Sequence, residues 1–354
     1  MRNPPSPRIL LPLLRDPPNL ESVDCPLSLA AVKAAAEFHG MAPTVANIIK
    51  HRLSAEDRQW CDHVLVRSWR RHDESLRRVD FLVGLLDAAG VDTLVLKGAV
   101  LARRHYPIPF LRRPSFDVDL AVRDREIEAA VEALEHHGYS LKFSVEEARR
   151  CSHHVNMRHP EKGEVELHFR LCNAAAGIPV DRFMESSIPY QLPTGHTVAI
   201  LRPEDELLHL LLHFSSGGFG SFFHSFELRQ LWKAAPPEYR VAAIDAAISG
   251  GFAWAVHLAD LAFQDWWSER LIPQDKLVPA TWLQWRIGPK LLRELEQQAW
   301  LGRDLTFTDR IKGRVLDMHL ADTAFDALKF VVVRQFWRRL YHARDILLGL
   351  TQAT

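Results

Sequence analysis

The sequence predicts an α+β protein in which a small mixed-sheet core lies between helices, and three patterns predict it. Apolar residues recur at three- and four-residue spacing from about Leu29 to Gly90, the period of an amphipathic helix. In short runs between about 91 and 200 the period falls to two, as in half-buried strands. Beyond Arg202 the helical spacing returns. These shifts divide the chain into an N-terminal helical region packed on the core (1–90), an α/β core (91–200) and a helical C-terminal lobe (201–354).

The elements follow in order. Ser54 with Asp57 three residues on has the form of a helix N-terminus, opening a helix through Trp60, Val64, Trp69, Leu76, Val79 and Leu86 that Gly90 ends. Thr93 to Leu96 is a short strand; Lys97-Gly98 turns it into a helix from Ala99 to His105. Pro107, Pro109 and Pro114 interrupt the chain before a second strand, Phe116 to Val122, where Val118, Leu120 and Val122 alternate with Asp117, Asp119 and Ala121. Asp124 is placed to cap a helix bearing Ile127, Val131 and Leu134, and Gly138 closes it. Lys162-Gly163 turns into a third strand, Glu164 to Leu171, with Val165, Leu167, Phe169 and Leu171 on one face and Glu164, Glu166, His168 and Arg170 on the other. A helix opens at Pro203 with Glu204, Asp205 and Glu206 in its first turn, where carboxylates favour the helix dipole. Ser215-Ser216-Gly217-Gly218 breaks it, and helices are expected near 226–234, 240–268, 288–300 and 322–349.

Composition excludes several classes. Lys+Arg and Asp+Glu both number 44, so no overall field draws the chain to nucleic acid or an anionic membrane. Cys25, Cys61, Cys151 and Cys172 stand far apart without Cys-x-x-Cys spacing, which argues against a disulfide framework or a zinc ribbon and fits a reducing cytoplasm. The apolar run Ile9 to Leu14 is too short for a signal-peptide core, and no stretch reaches the roughly 18 apolar residues of a membrane span.

The chemistry lies on the strands. Residues two apart on a strand share a face, so Asp117 and Asp119 stand side by side. Two adjacent carboxylates stay ionised at low cost only when cations neutralise them, and oxygen ligands suit Mg²⁺ or Mn²⁺. Two such ions, roughly 3.5 to 4 Å apart, activate an attacking hydroxyl and stabilise a leaving pyrophosphate. A third acid is needed, and Glu166 is the candidate. Taken alone, Asp-x-Asp is equally compatible with a solvated strand face; the strand-Gly98-helix turn upstream adds backbone N–H groups suited to phosphate.

At these residues the chain resembles the uncharacterised nucleotidyltransferase family of the DNA polymerase beta-like superfamily. The likeness is carried by Leu94-Val-Leu-Lys-Gly-Ala-Val-Leu-Ala, Tyr106-Pro, Leu111-Arg-Arg-Pro-Ser-Phe-Asp-Val-Asp-Leu-Ala-Val122, Gly138-Tyr139, Val165-Glu-Leu-His-Phe-Arg170 and the helix from Leu201 to His213. It extends to about residue 235. The resemblance implies an NTP substrate, Mg²⁺ or Mn²⁺, metal ligation by Asp117, Asp119 and Glu166, a phosphate-loop glycine at Gly98, and triphosphate-neutralising roles for Lys97 and Arg113. It implies a peptide or small-molecule acceptor only loosely. Ala99 stands where the superfamily often has serine, removing a hydroxyl from the phosphate loop, and Phe116 stands where a small residue is common.

Other candidates are weaker. His209 and His213 have the spacing of a zinc pair but no accompanying acid; His213, which matches a recurrent family histidine, is expected to hydrogen-bond near the cleft. His168 shares the Glu166 face and either orients a ligand or phosphate or makes a structural hydrogen bond. His153 and His154 are read as solvated loop residues. Arg334, Arg338, Arg339 and Arg344 with Phe336, Trp337 and Tyr341 read as a packed amphipathic helix with arginines reaching solvent. Gly217, Gly218 and Gly220 follow no strand and precede no Lys-Ser/Thr, so they form no phosphate loop. Two other functions remain: a catalytically inactive binding or antitoxin-like regulatory module, which the three acids argue against, and a glycosyltransferase, which the helical reading of 29–90 argues against.

Overall fold

The computed structural model describes residues 5–15, 29–172, 178–216 and 221–274, with 276, 278 and 340 besides. Cys25, the Gly217-Gly220 segment and the helices expected near 288–300 and 322–349, with their arginines and aromatics, lie outside the described residues.

The short α1 (Leu11–Leu14), α2 (Leu29–Phe38) and α3 (Ala42–Ile49) lead into α4 (Ala55–Ala88), 34 residues long. Ser54 caps α4, its side chain accepting from the Asp57 N–H. The helix serves two cores. Near its start Cys61 and Val64 pack with α2, α3 and the C-terminal helices, and in its second half Leu76, Val79, Leu82, Val83 and Leu86 lie under the sheet.

Among the described residues the sheet has seven strands: β1 (Leu94–Val95), β2 (Asp117–Ala121), β3 (Ser140–Leu141), β4 (His154–His159), β5 (Gly163–His168), β6 (Ile188–Gln191) and β7 (Thr197–Ile200), in the order β3-β4-β5-β2-β1-β7-β6. It is mixed: β2 runs parallel to β5 and β1 to β7, and the other pairs are antiparallel. Between strands lie α5 (Gly98–His105), α6 (Ile127–Glu135), α7 (Val145–Cys151) and α8 (Asp181–Glu185). The two-residue period decides which face is covered. Val118, Leu120, Val165 and Leu167 point into the core shared with α4 and with Ile127, Ala130, Val131 and Leu134 of α6, so the residues that alternate with them, Asp117, Asp119, Glu164 and Glu166, belong to the opposite face.

Beyond the sheet, α9 (Pro203–Ser216), α10 (Phe222–Ala234), α11 (Pro237–Ser249) and α12 (Ala253–Trp267) form the helical lobe, its core rich in Phe214, Phe222, Phe263, Trp266 and Trp267. The single helix expected over 240–268 is two, broken at Gly250-Gly251, where Gly251 adopts φ +83°, a conformation open to glycine and costly to other residues. Asp124 does not cap α6. It begins a 3-10 turn and accepts a hydrogen bond from Arg149 Nε at 2.8 Å instead. Among the described residues no helix is long and apolar enough to cross a membrane.

Candidate active site

Parallel pairing of β2 with β5 builds the site. Their register sets Asp117 opposite Glu164, Asp119 opposite Glu166 and Ala121 opposite His168. On β5's other side, β4 pairs antiparallel and sets His154 opposite His168. Three adjacent strands therefore bring Asp119, Glu166, His168 and His154 to neighbouring positions of one face.

Asp119 is 5% exposed and is the electrostatic centre of this face. Lys97 Nζ lies 3.0 Å from Asp119 Oδ1, and His168 Nε2 lies 3.1 Å from the same oxygen and 3.4 Å from Glu166 Oε2. Burial alone would raise the Asp119 pKa; Lys97 and the His168 hydrogen bond outweigh it and hold the carboxyl well below its usual range. The same balance lowers Glu166, where burial is outweighed by His168 and His154. For His168 burial opposes protonation, and the two carboxylates outweigh it and raise its pKa. Ligand atoms of Asp119, Glu166 and His168 all lie within 4.8 Å of one another. Asp117 is not in that group: its Oδ1 accepts from Ser115 Oγ at 2.7 Å.

Gly98 opens α5 with φ +72°, and a Cβ built on it would meet nothing within 4 Å. The turn after β1 thus presents bare backbone to open space beside Lys97. Arg113 lies with its guanidinium 4.6 Å from the centre of the Phe223 ring, and among the described residues no carboxylate forms an ion pair with it. Its neighbour Arg112 is committed elsewhere: its Nε donates to Glu227 Oε1 at 2.5 Å and its Nη2 to Glu227 Oε2 at 3.0 Å, with both side chains buried. The Arg112–Glu227 pair ties the loop before β2 to α10. A glutamate set among Phe222, Phe223, Phe226 and Leu228 is the sequence signal for it.

Two histidine clusters surround the acids. His153 and His154, expected in a solvated loop, are half-buried at the start of β4, with ring centres 5.2 and 5.1 Å from His168. Pairing of β4 with β5 places them there. His209 is buried on α9, and His213 Nε2 meets His224 Nε2 of α10 at 3.2 Å; neither His209 nor His213 joins a group of three potential metal ligands among the described residues.

Burial pushes the pKa of His209, His213 and His224 well below the usual value, with Lys97 among the further causes. Burial and the nearby Arg103 and Arg112 lower His72 to about 4. Unfolding lets each of these take a proton near pH 6.5, whereas the folded chain accepts it only at lower pH. Their contribution to stability is therefore complete above about pH 6.5 and is lost as pH falls, for His72 down to about 4. Each histidine contributes a slope of about 1.4 kcal/mol per pH unit within its window. Urea midpoints are expected to fall from pH 7 to pH 5 by more than one proton's share, and His72→Phe is expected to flatten the slope by one proton. An unchanged slope in that variant contradicts the assignment.

No curated protein matches the chain. Among solved structures, it is similar to the lincosamide antibiotic adenylyltransferase LnuA in its lincomycin-bound form, at 15% identity and a TM-score of 0.31 over 45% of this chain and 97% of that one. Residues 30–267 match the family described as uncharacterised nucleotidyltransferase. With two-thirds of its length matched, the chain belongs to the uncharacterised nucleotidyltransferase family.

Proposed function

We propose that this chain is a divalent-metal-dependent nucleotidyltransferase that moves a nucleoside monophosphate from an NTP to an acceptor hydroxyl or phosphate, on a small molecule, peptide or protein, and releases pyrophosphate. The observation that carries this reading is the in-register pair Asp119 and Glu166 across parallel β2 and β5, on the face where Lys97 reaches Asp119.

The donor set fits a hard divalent cation. Asp117, Asp119 and Glu166 offer carboxylate oxygens, and with Glu164 beside them on the same strand face their negative charge exceeds what Lys97 alone offsets. Asp117, Asp119 and Glu166 would hold the cation, Asp117 on giving up the hydrogen bond it accepts from Ser115 Oγ. Bound ions supply Lewis-acid stabilisation of the phosphoryl oxygens and lower the pKa of the attacking hydroxyl. The side chains do the rest. Gly98 lets the triphosphate approach the start of α5 closely, and Lys97 and Arg113 offset its charge. The acceptor oxygen bonds to the α-phosphorus as the bond to pyrophosphate breaks, and Glu166, beside His168, takes the proton. Nucleotidyl transfer requires these groups to be in place before reaction, when a water-poor setting makes each charge more effective.

The test is direct. Incubating the chain with each α-labelled NTP, Mg²⁺ and a cell extract is expected to label an acceptor, and Asp117→Asn is expected to abolish the labelling. Labelling that survives this substitution unchanged would remove Asp117 from the metal site. Absence of labelling with every NTP would favour the inactive binding module.

A further inference from the structure

We propose that His153, His154 and His168 form a second metal centre, beside the carboxylates, that binds a divalent first-row transition ion with Zn²⁺-like ligand preference. One ligand atom from each of the three lies within 4.8 Å of the other two, and the three ring centres are 4.5, 5.1 and 5.2 Å apart. Adjacent residues on a strand ordinarily point to opposite faces. His153 lies just before β4, outside its alternation, and so its ring joins that of His154. The closest approach, His154 Nδ1 to His153 Nε2 at 3.3 Å, matches the ligand-to-ligand edge of a tetrahedron with metal–nitrogen bonds of about 2.0 to 2.1 Å.

Hydrogen bonding alone leaves this cluster incomplete. His168 Nε2 faces Asp119 and Glu166, which hold the proton on that nitrogen, so an ion would take Nδ1 and displace any proton there. That Nδ1 is buried without a hydrogen-bond partner, as is His153 Nδ1. Buried polar atoms without partners are uncommon and cost roughly 1 to 3 kcal/mol each. A metal ion takes lone pairs that no donor in the protein reaches. Three imidazoles select a borderline ion over Mg²⁺, which prefers oxygen, and Asp119, 3.1 Å from His168 Nε2, and Glu166, whose Oε1 lies 3.7 Å from His154 Nε2, supply negative charge beside them.

Co²⁺ serves as the probe, because its visible absorption reports tetrahedral nitrogen ligation. The full chain, stripped with chelator, is titrated with Co²⁺ and then with Zn²⁺ in competition. One equivalent is expected to give an intense visible band that Zn²⁺ abolishes. His153→Asn with His154→Asn is expected to weaken binding beyond the roughly 10- to 100-fold that loss of a supporting contact costs, while circular dichroism and urea unfolding show the variant folded. Asp117→Asn is expected to keep the band, which separates this centre from the proposed carboxylate site. His213→Gln is also expected to keep it. The proposal is overturned by a wild-type chain without the band, by a folded double variant that retains it, or by a band lost only in His213→Gln.

Discussion

Asp119→Asn is expected to lower nucleotidyl transfer by about 1,000-fold or more, the scale at which a preorganised charge in a water-poor site contributes. Asp119 is the position where strand register, burial and charge coincide: it stands opposite Glu166, and one of its oxygens meets both Lys97 and His168. Asparagine keeps the shape and removes the charge. Lys97 and His168 then lose their common anion, and removing one partner from a buried charge pair costs about 3 to 5 kcal/mol. The variant is therefore expected to show a lowered urea midpoint as well as lost transfer. Assaying below its unfolding midpoint, with circular dichroism on the same sample, separates the two effects. Full transfer by a folded Asp119→Asn chain would remove the carboxylate from the reaction.

The second large effect concerns stability. Glu227→Gln is expected to destabilise the fold by about 3 to 5 kcal/mol, because it strands the buried Arg112 guanidinium. Arg112 and Glu227 are 7% and 1% exposed at their side chains and share two hydrogen bonds, with the Tyr106 hydroxyl donating to Glu227 Oε1 at 3.4 Å. Burial alone would lower the Arg112 pKa, and Glu227 more than reverses this. Arg112→Met together with Glu227→Leu removes both charges, and apolar replacement of a whole buried pair is often neutral or better. The double variant is thus expected to recover most of the loss in urea unfolding. Additive losses in the two single variants, with no recovery in the double, would show that the pair does not act as a unit.

The acid-bearing strands were legible because each alternates large apolar residues with acids: Val118 and Leu120 against Asp117 and Asp119, Val165 and Leu167 against Glu164 and Glu166. Burial of the apolar set fixes the parity of the rest. The expected spans run long, because β2 covers Asp117–Ala121 and the chain after His168 leaves the sheet, with Arg170 making an isolated bridge to Pro179. β4 carries little sequence signal, because only Val155 and Met157 supply its apolar period, between polar residues typical of a loop. β6 contains Pro189, which argues against a central strand; it lies at the sheet's edge, where a missing N–H is tolerated. Sequence patterns order residues along a strand but do not choose its neighbour. The pairing of β4 with β5, which brings His153 and His154 to the acids, and the reach of Lys97 to Asp119 follow from the folded chain alone. Gly98 is the opposite case: the sequence places a glycine turn between a strand and a helix start, and the chain turns there with φ +72°.

The most direct measurement is a crystal structure with Mn²⁺ and a non-hydrolysable NTP, read by manganese anomalous scattering. The proposed function predicts anomalous density in contact with Asp119 and Glu166 and the triphosphate lying against Gly98 and Lys97. Manganese away from both carboxylates, or a nucleotide seated elsewhere, would contradict it.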